Sequence, residues 1–205
     1  MFHLLAMALL AGGSPQGEPF VNGPFIIFVG PPESGKSTQA KMAATALKLP
    51  ILAAEDLIAA NPNAFAKSNP AGISGMNPRT DPALNELFGA KLSSGAYRNG
   101  VILDGYPATK DQVDYLRTMI LGGRMPNPSI LRLDIPDDTL RKRLGKKADE
   151  TFEQLLKDYH RELDMFEVYF PGVRIIGVDA NGKPEKVAKR VKKALAEVPP
   201  VKSPR

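Results

Sequence analysis

Phe25-Ile26-Ile27-Phe28-Val29-Gly30-Pro31-Pro32-Glu33-Ser34-Gly35-Lys36-Ser37-Thr38 is the stretch around which the rest of the chain is organised. Its first five residues are apolar without interruption, as suits a strand buried on both faces of a parallel sheet. They run directly into G-x-x-x-x-G-K-S, and residues of helical character follow from Lys36 to Lys48. Strand, spacing and helix together make a P-loop. Gly30 and Gly35 let the loop they bracket, Pro31 to Ser34, fold into a nest whose N–H groups face phosphate. The next helix, which carries Thr38 in its first turn, adds the positive end of its dipole. Lys36 is then placed to reach the β- and γ-phosphates, and the Ser37 hydroxyl to hold Mg²⁺, so ATP with Mg²⁺ is the expected ligand. Glu33 is an odd residue for such a loop. A carboxylate aimed inward would repel phosphate, and it is expected to face solvent.

The 205 residues, 43% of them apolar, suffice for one good core with a small inserted lid. An excess of 27 basic over 22 acidic residues suits a small anionic ligand and falls short of a nucleic-acid-binding composition. Cysteine is absent, which removes disulfides, thiolate metal sites and cysteine nucleophiles. His3 and His160 alone do not make a zinc site.

Residues 2–11 form an apolar run too short to span a bilayer as a helix. Its length resembles a signal-peptide core, but no Lys or Arg precedes it. Export would also separate the P-loop from cytosolic ATP, so a cytoplasmic location is expected, with export as the alternative if residues 1–19 are a true signal. One domain is expected over residues 20–198, with 199–205 as a tail.

A short strand is predicted over Leu49–Leu52 and a short helix over Glu55–Ala60. Residues 61–82, with prolines at 62, 70, 78 and 82, read as loop, in the manner of a lid or a solvated insertion. Leu84–Leu92 is predicted helical. Val101-Ile102-Leu103-Asp104 is an apolar strand ending in a carboxylate, which in a P-loop protein serves the magnesium shell. Helix is predicted over Asp111–Leu121, strand over Ser129–Asp134 and a basic helix over Asp137–Lys147. Phe152, Leu155, Leu156, Tyr159, Leu163, Phe166 and Phe170 recur at helical spacing through Thr151–Phe170, the mark of a core-facing stripe. A fifth strand over Val173–Val178 and a last helix over Pro184–Val198 complete an α/β chain. Five strands alternating with helices imply a parallel sheet covered on both faces, with ligands at the carboxyl ends of its strands.

From about Phe25 to Leu195 the order of motifs resembles the nucleoside monophosphate kinases, adenylate kinase most closely. Gly30-Pro31-Pro32-Glu33-Ser34-Gly35-Lys36-Ser37-Thr38-Gln39 is similar to that family's phosphate loop, and Leu103-Asp104-Gly105-Tyr106-Pro107 resembles its D-G-[FY]-P-R segment. The resemblance puts Gln112 where the family reads the AMP base, Leu133–Asp137 before the ATP lid, and Val178–Gly182, with Ala180, against the ATP adenine. Family arginines that grip phosphate are missing: their places hold Ala59, Ala108 and a residue near Leu155, and the lid is cut to about Gly145–Ala148. Arg79, Arg98, Arg141, Arg143, Lys146 and Lys147 are candidate substitutes, with Arg143 and Lys147 set beside Lys36 and Asp104 as catalytic candidates.

The resemblance implies transfer of the γ-phosphoryl of MgATP to a nucleoside monophosphate, AMP first, or to another small phosphate acceptor. The missing arginines keep open a non-catalytic nucleotide-binding module. Nucleic-acid binding has only the basic last helix in its favour, and no aromatics are interleaved there for stacking. No membrane association and a monomer are expected.

Overall fold

The computed structural model describes residues 18–66, 82–162, 165–170, 173 and 175–197. The apolar run 2–11, Arg79 and the tail lie outside them. Five strands form one parallel sheet: β1 (Phe25–Val29), β2 (Ile51–Ala53), β3 (Val101–Asp104), β4 (Ser129–Asp134) and β5 (Ile175–Asp179), in the order β2-β3-β1-β4-β5.

Alternation along β1 explains its unbroken apolar sequence. Phe25, Ile27 and Val29 enter one core, and Ile26 and Phe28 the other, so every position is buried. The first core is roofed by α2 (Ala54–Ala60), α4 (Ala83–Leu92), α5 (Lys110–Leu121) and α8 (Met165–Tyr169), which contribute Leu57, Leu84, Phe88, Leu116 and Phe166. The second is roofed by α1 (Lys36–Leu47), α6 (Asp137–Leu144), α7 (Glu150–Glu162) and α9 (Pro184–Ala196), through Ala40, Leu140, Leu156, Val187 and Val191. Each fully buried aliphatic of these cores contributes about 1.5–3 kcal/mol by leaving water. In α1 the buried face is alanine (Ala40, Ala43, Ala44), which lets the helix lie close to the sheet and to α9.

The expected elements are present, with three differences. The loop from residue 61 begins with a short helix, α3 (Pro62–Ala66). The basic helix stops at Leu144, because Gly145 takes φ +55°, and a 3₁₀ turn covers Gly145–Lys147. Finally, the stripe of α7 is not wholly core. Phe152 and Leu156 are buried, whereas Leu155 is 44% exposed and faces the pocket described below. Strands β2 and β5 lie slightly later than predicted.

The lid is short. α6 and α7 are joined by residues 145–149 alone, and Arg141 clamps them together. Its Nε and Nη2 donate to the two Glu153 carboxylate oxygens (2.7 and 2.9 Å), and its Nη1 to Asp138 Oδ1 (3.1 Å). The Glu153 carboxylate holds the Arg141 guanidinium above its already high ordinary range, and the pairing lowers Glu153 in turn. Among the described residues no helix is long and apolar enough to cross a membrane.

Candidate active site

β1 is the middle strand. The chain leaves it to build β2 and β3 on one side and returns to place β4 on the other, so its carboxyl end is the switch point where parallel sheets open a crevice. The loop from Gly30 to Gly35 fills that point. Gly30 must be glycine because a Cβ there would come within 3.1 Å of both the Cβ and the carbonyl of Leu133 on β4. Gly35, the N-cap of α1, has φ +91°, which only glycine adopts without strain.

Lys36 folds back over the loop, its Nζ donating to the carbonyls of Gly30 and Pro31 at 2.8 Å each. Ser34 is buried, and its Oγ meets no hydrogen-bond partner among the described residues. Glu33 sits at φ +59°, an unusual conformation for a residue with a side chain. It is exposed, as expected, but on the rim of the pocket rather than away from it.

Asp104, at the end of β3, pairs in register with Phe28 of β1 and so stands beside the start of the loop. The Ser37 hydroxyl donates to Asp104 Oδ1 at 3.1 Å, across 67 positions of sequence. A hydroxyl and a 6%-exposed carboxylate in contact are hard oxygen donors of the kind Mg²⁺ prefers. The two residues therefore fit a magnesium ion brought with a nucleotide.

These groups open on a pocket of about 760 Å³, within the range of small-molecule sites. One wall is the phosphate loop with Lys36, Ser37 and Thr38. A second is Gly105-Tyr106-Pro107-Ala108-Thr109, together with Glu55 at the start of α2. Tyr106 is fixed by stacking on Phe88 (3.8 Å between ring centroids) and by donating from its hydroxyl to Asn85 Oδ1 (2.7 Å). Burial pushes its phenol far up. The third wall is α7, through Leu155, Asp158, Tyr159 and Arg161. Burial also pushes the Tyr159 phenol up, to about 12.

Gln112 is buried. Its Oε1 accepts from the Ala108 N–H (2.7 Å), while its own N–H donates to the Thr109 Oγ1 that caps α5 (3.3 Å). The Thr109 cap and the Gln112–Ala108 bond together fix the second wall.

Arg143 lies elsewhere. Its Nη2 donates to the carbonyls of Ala180 (3.1 Å) and Gly182 (3.4 Å), bringing Arg143 and Ala180 together in the loop after β5. Lys146 and Lys147 are exposed on the 3₁₀ turn and do not line the pocket. Arg98 pairs with Glu18. The cation that sequence reasoning missed is Arg161. Helical phase groups it with Leu155 and Asp158, but which face of α7 meets the phosphate loop is set by tertiary packing.

A parallel sheet in this strand order, a phosphate nest at its switch point and a hydroxyl–carboxylate pair beside it define a P-loop phosphotransferase. The family model for adenylate kinase matches residues 28–193. The adenylate kinase of Clavibacter michiganensis subsp. michiganensis (strain NCPPB 382) is 29% identical over 184 residues, covering 83% of this chain and 92% of that protein. That of Micrococcus luteus (strain ATCC 4698) is 28% identical over 189 residues, covering 84% and 91%. That of Chelativorans sp. (strain BNC1) is 26% identical over 191 residues, covering 84% and 98%. The chain belongs to the adenylate kinase family.

Proposed function

We propose that the protein transfers the γ-phosphoryl of MgATP to a nucleoside monophosphate, with AMP as the first candidate. The observation that carries this reading is the Ser37–Asp104 contact beside Lys36, with Ser37 and Lys36 lining the same pocket as the Gly105–Thr109 wall. On nucleotide binding Lys36 exchanges the Gly30 and Pro31 carbonyls for β- and γ-phosphate oxygens, and the loop N–H groups and Ser34 take the remainder. Ser37 and Asp104 would hold Mg²⁺, which offsets charge on the β- and γ-oxygens when bound. A phosphate oxygen of the acceptor bonds to the γ-phosphorus as the bond from that phosphorus to the β-phosphate oxygen breaks, leaving ADP. The acceptor oxygen is already anionic, so no general base is required.

Tyr106, Thr109 and Gln112 shape the acceptor wall, and Gln112 is the candidate to read the acceptor base. Arg143 and Ala180 are assigned to the ATP base, next in the chain to Asp179 of a second cavity of about 400 Å³ that reaches Pro31. Lys147 is retained as a cation that approaches only when the short lid moves. The need for MgATP supports a cytoplasmic site of action. A monomer is proposed, with residues 20–198 as one catalytic domain.

The test is chromatography of the products formed from MgATP with each nucleoside monophosphate in turn. AMP-dependent ADP formation, lost in Lys36→Ala, is expected. MgATP binding without turnover of any monophosphate would overturn the assignment.

A further inference from the structure

The phosphoryl group in flight carries diffuse negative charge, and its stabilisation by fixed cations supplies most of the catalysis in this chemistry. Yet Ala59, Ala108 and a residue near Leu155 stand where the resemblance leads one to expect arginines. Among the described residues lining the pocket, the cations are Lys36 and Arg161, against the carboxylates of Glu33, Glu55 and Asp158. Lys36 is committed to the loop end of the phosphate chain. We infer that Arg161 is the arginine that stabilises the transferred phosphoryl group, replacing the missing ones from a new position on α7. This inference rests on the phosphotransferase reading above.

The geometry supports it in three ways. Leu155 and Asp158 line the same pocket from α7 at i, i+3 spacing, so this face of the helix is turned to the phosphate loop. Arg161 Nη2 donates to Asp158 Oδ1 at 2.9 Å, which holds the guanidinium at the pocket wall in the absence of ligand. The Arg161 side chain is 64% exposed, so a phosphate can reach it, and phosphate oxygens match the guanidinium fork. Among the described residues, the other candidate arginines are engaged away from the pocket: Arg98 with Glu18, Arg141 with Glu153, and Arg143 with the Ala180 carbonyl.

Arg161 acts on the step in which the acceptor oxygen bonds to the γ-phosphorus and the β-phosphate oxygen departs. Arg161→Ala is expected to lower kcat for the AMP-dependent reaction about a thousandfold, with the KM for MgATP changed by less than about threefold. Arg161→Lys is expected to recover only a minor part, since an ammonium lacks the fork. Its exposure predicts an unchanged melting temperature. A kcat for Arg161→Ala within about threefold of the wild type overturns the inference.

A second readout does not depend on the acceptor. MgADP binding is measured with and without fluoroaluminate, a planar mimic of the phosphoryl group in transfer. The tightening by fluoroaluminate is expected in the wild type and lost in Arg161→Ala; equal responses of the two proteins overturn the inference. Should the wild type phosphorylate no monophosphate, the acceptor reading fails, and this comparison alone decides the role of Arg161.

Discussion

The two sides of the pocket are built in opposite ways. The phosphate-loop side comes from one contiguous segment and acts through backbone: a nest of N–H groups, a helix N-terminus, and one lysine already held at 2.8 Å from two loop carbonyls. The facing side is assembled from β3, α2 and α7, segments far apart in sequence, and acts through side chains. Where the resemblance leads one to expect arginines on that side, the chain has Ala108 and a residue near Leu155, while the loop keeps its spacing. Backbone geometry fixes glycines at set positions and leaves no substitute. A cation, by contrast, can be delivered to one point in space from several places on the surrounding helices.

The contrast is broken most directly at Lys36. Lys36→Ala is expected to weaken MgATP binding by at least about a hundredfold, measured by calorimetry, because no other described cation lines the loop side. Unchanged affinity would mean that the loop side is not the nucleotide site.

Asp104 joins the two sides. Asp104→Asn removes a charge while keeping the shape, and is expected to raise the Mg²⁺ concentration needed for half-maximal turnover by about 10- to 100-fold. A Mg²⁺ titration checks it, and an unshifted curve would leave Asp104 as a turn former only.

On the facing side, Ala108→Arg puts a guanidinium back on the acceptor wall. It is expected to lower the KM for AMP about tenfold, the worth of one charge-assisted hydrogen bond, with little change in the KM for MgATP. The Ala108 N–H bonded to Gln112 is untouched by the substitution.

Glu33 is the one position where the loop departs from its own logic. Glu33→Gly is expected to add about 1 kcal/mol of stability by relieving the left-handed conformation at φ +59°. It is also expected to tighten MgATP a few-fold by removing a carboxylate from the rim. Thermal melting and calorimetry read the two effects separately.

The smallest effect is on alkaline stability. An unfolded tyrosine ionises near pH 10, whereas burial keeps the Tyr159 proton until about 12. In that window the unfolded chain binds fewer protons than the folded one, so stability falls as pH rises. Denaturant midpoints measured from about pH 9 upward should decline less steeply in Tyr159→Phe.

Most of the fold was legible because its signals are local. Five apolar strand runs, a glycine-bounded loop and helices with one apolar face each declare themselves within a few residues. The Thr109 cap has a local signal in T-x-x-Q, while the Gln112–Ala108 bond across it depends on the tertiary turn after β3. Gly145 likewise carried a stop signal for α6 that the basic run after it obscured. The stripe of α7 misled for a different reason. Helical spacing places Leu155 beside Leu156 and Phe152 but does not say how wide the buried face is, and the sheet covers only part of it.

The sequence by itself determined the parallel α/β class and the phosphate loop, and pointed to Lys36, Ser37 and Asp104 as the groups proposed to meet phosphate and magnesium. Their roles follow from spacing and residue chemistry within single segments. Only the tertiary structure brought Ser37 to Asp104, tied Arg143 to Ala180, withheld Lys147 from the pocket and turned Leu155 and Arg161 toward it. Those relations depend on how helices lie on a twisted sheet, which is set by the packing of two whole cores and not by any stretch of chain read alone.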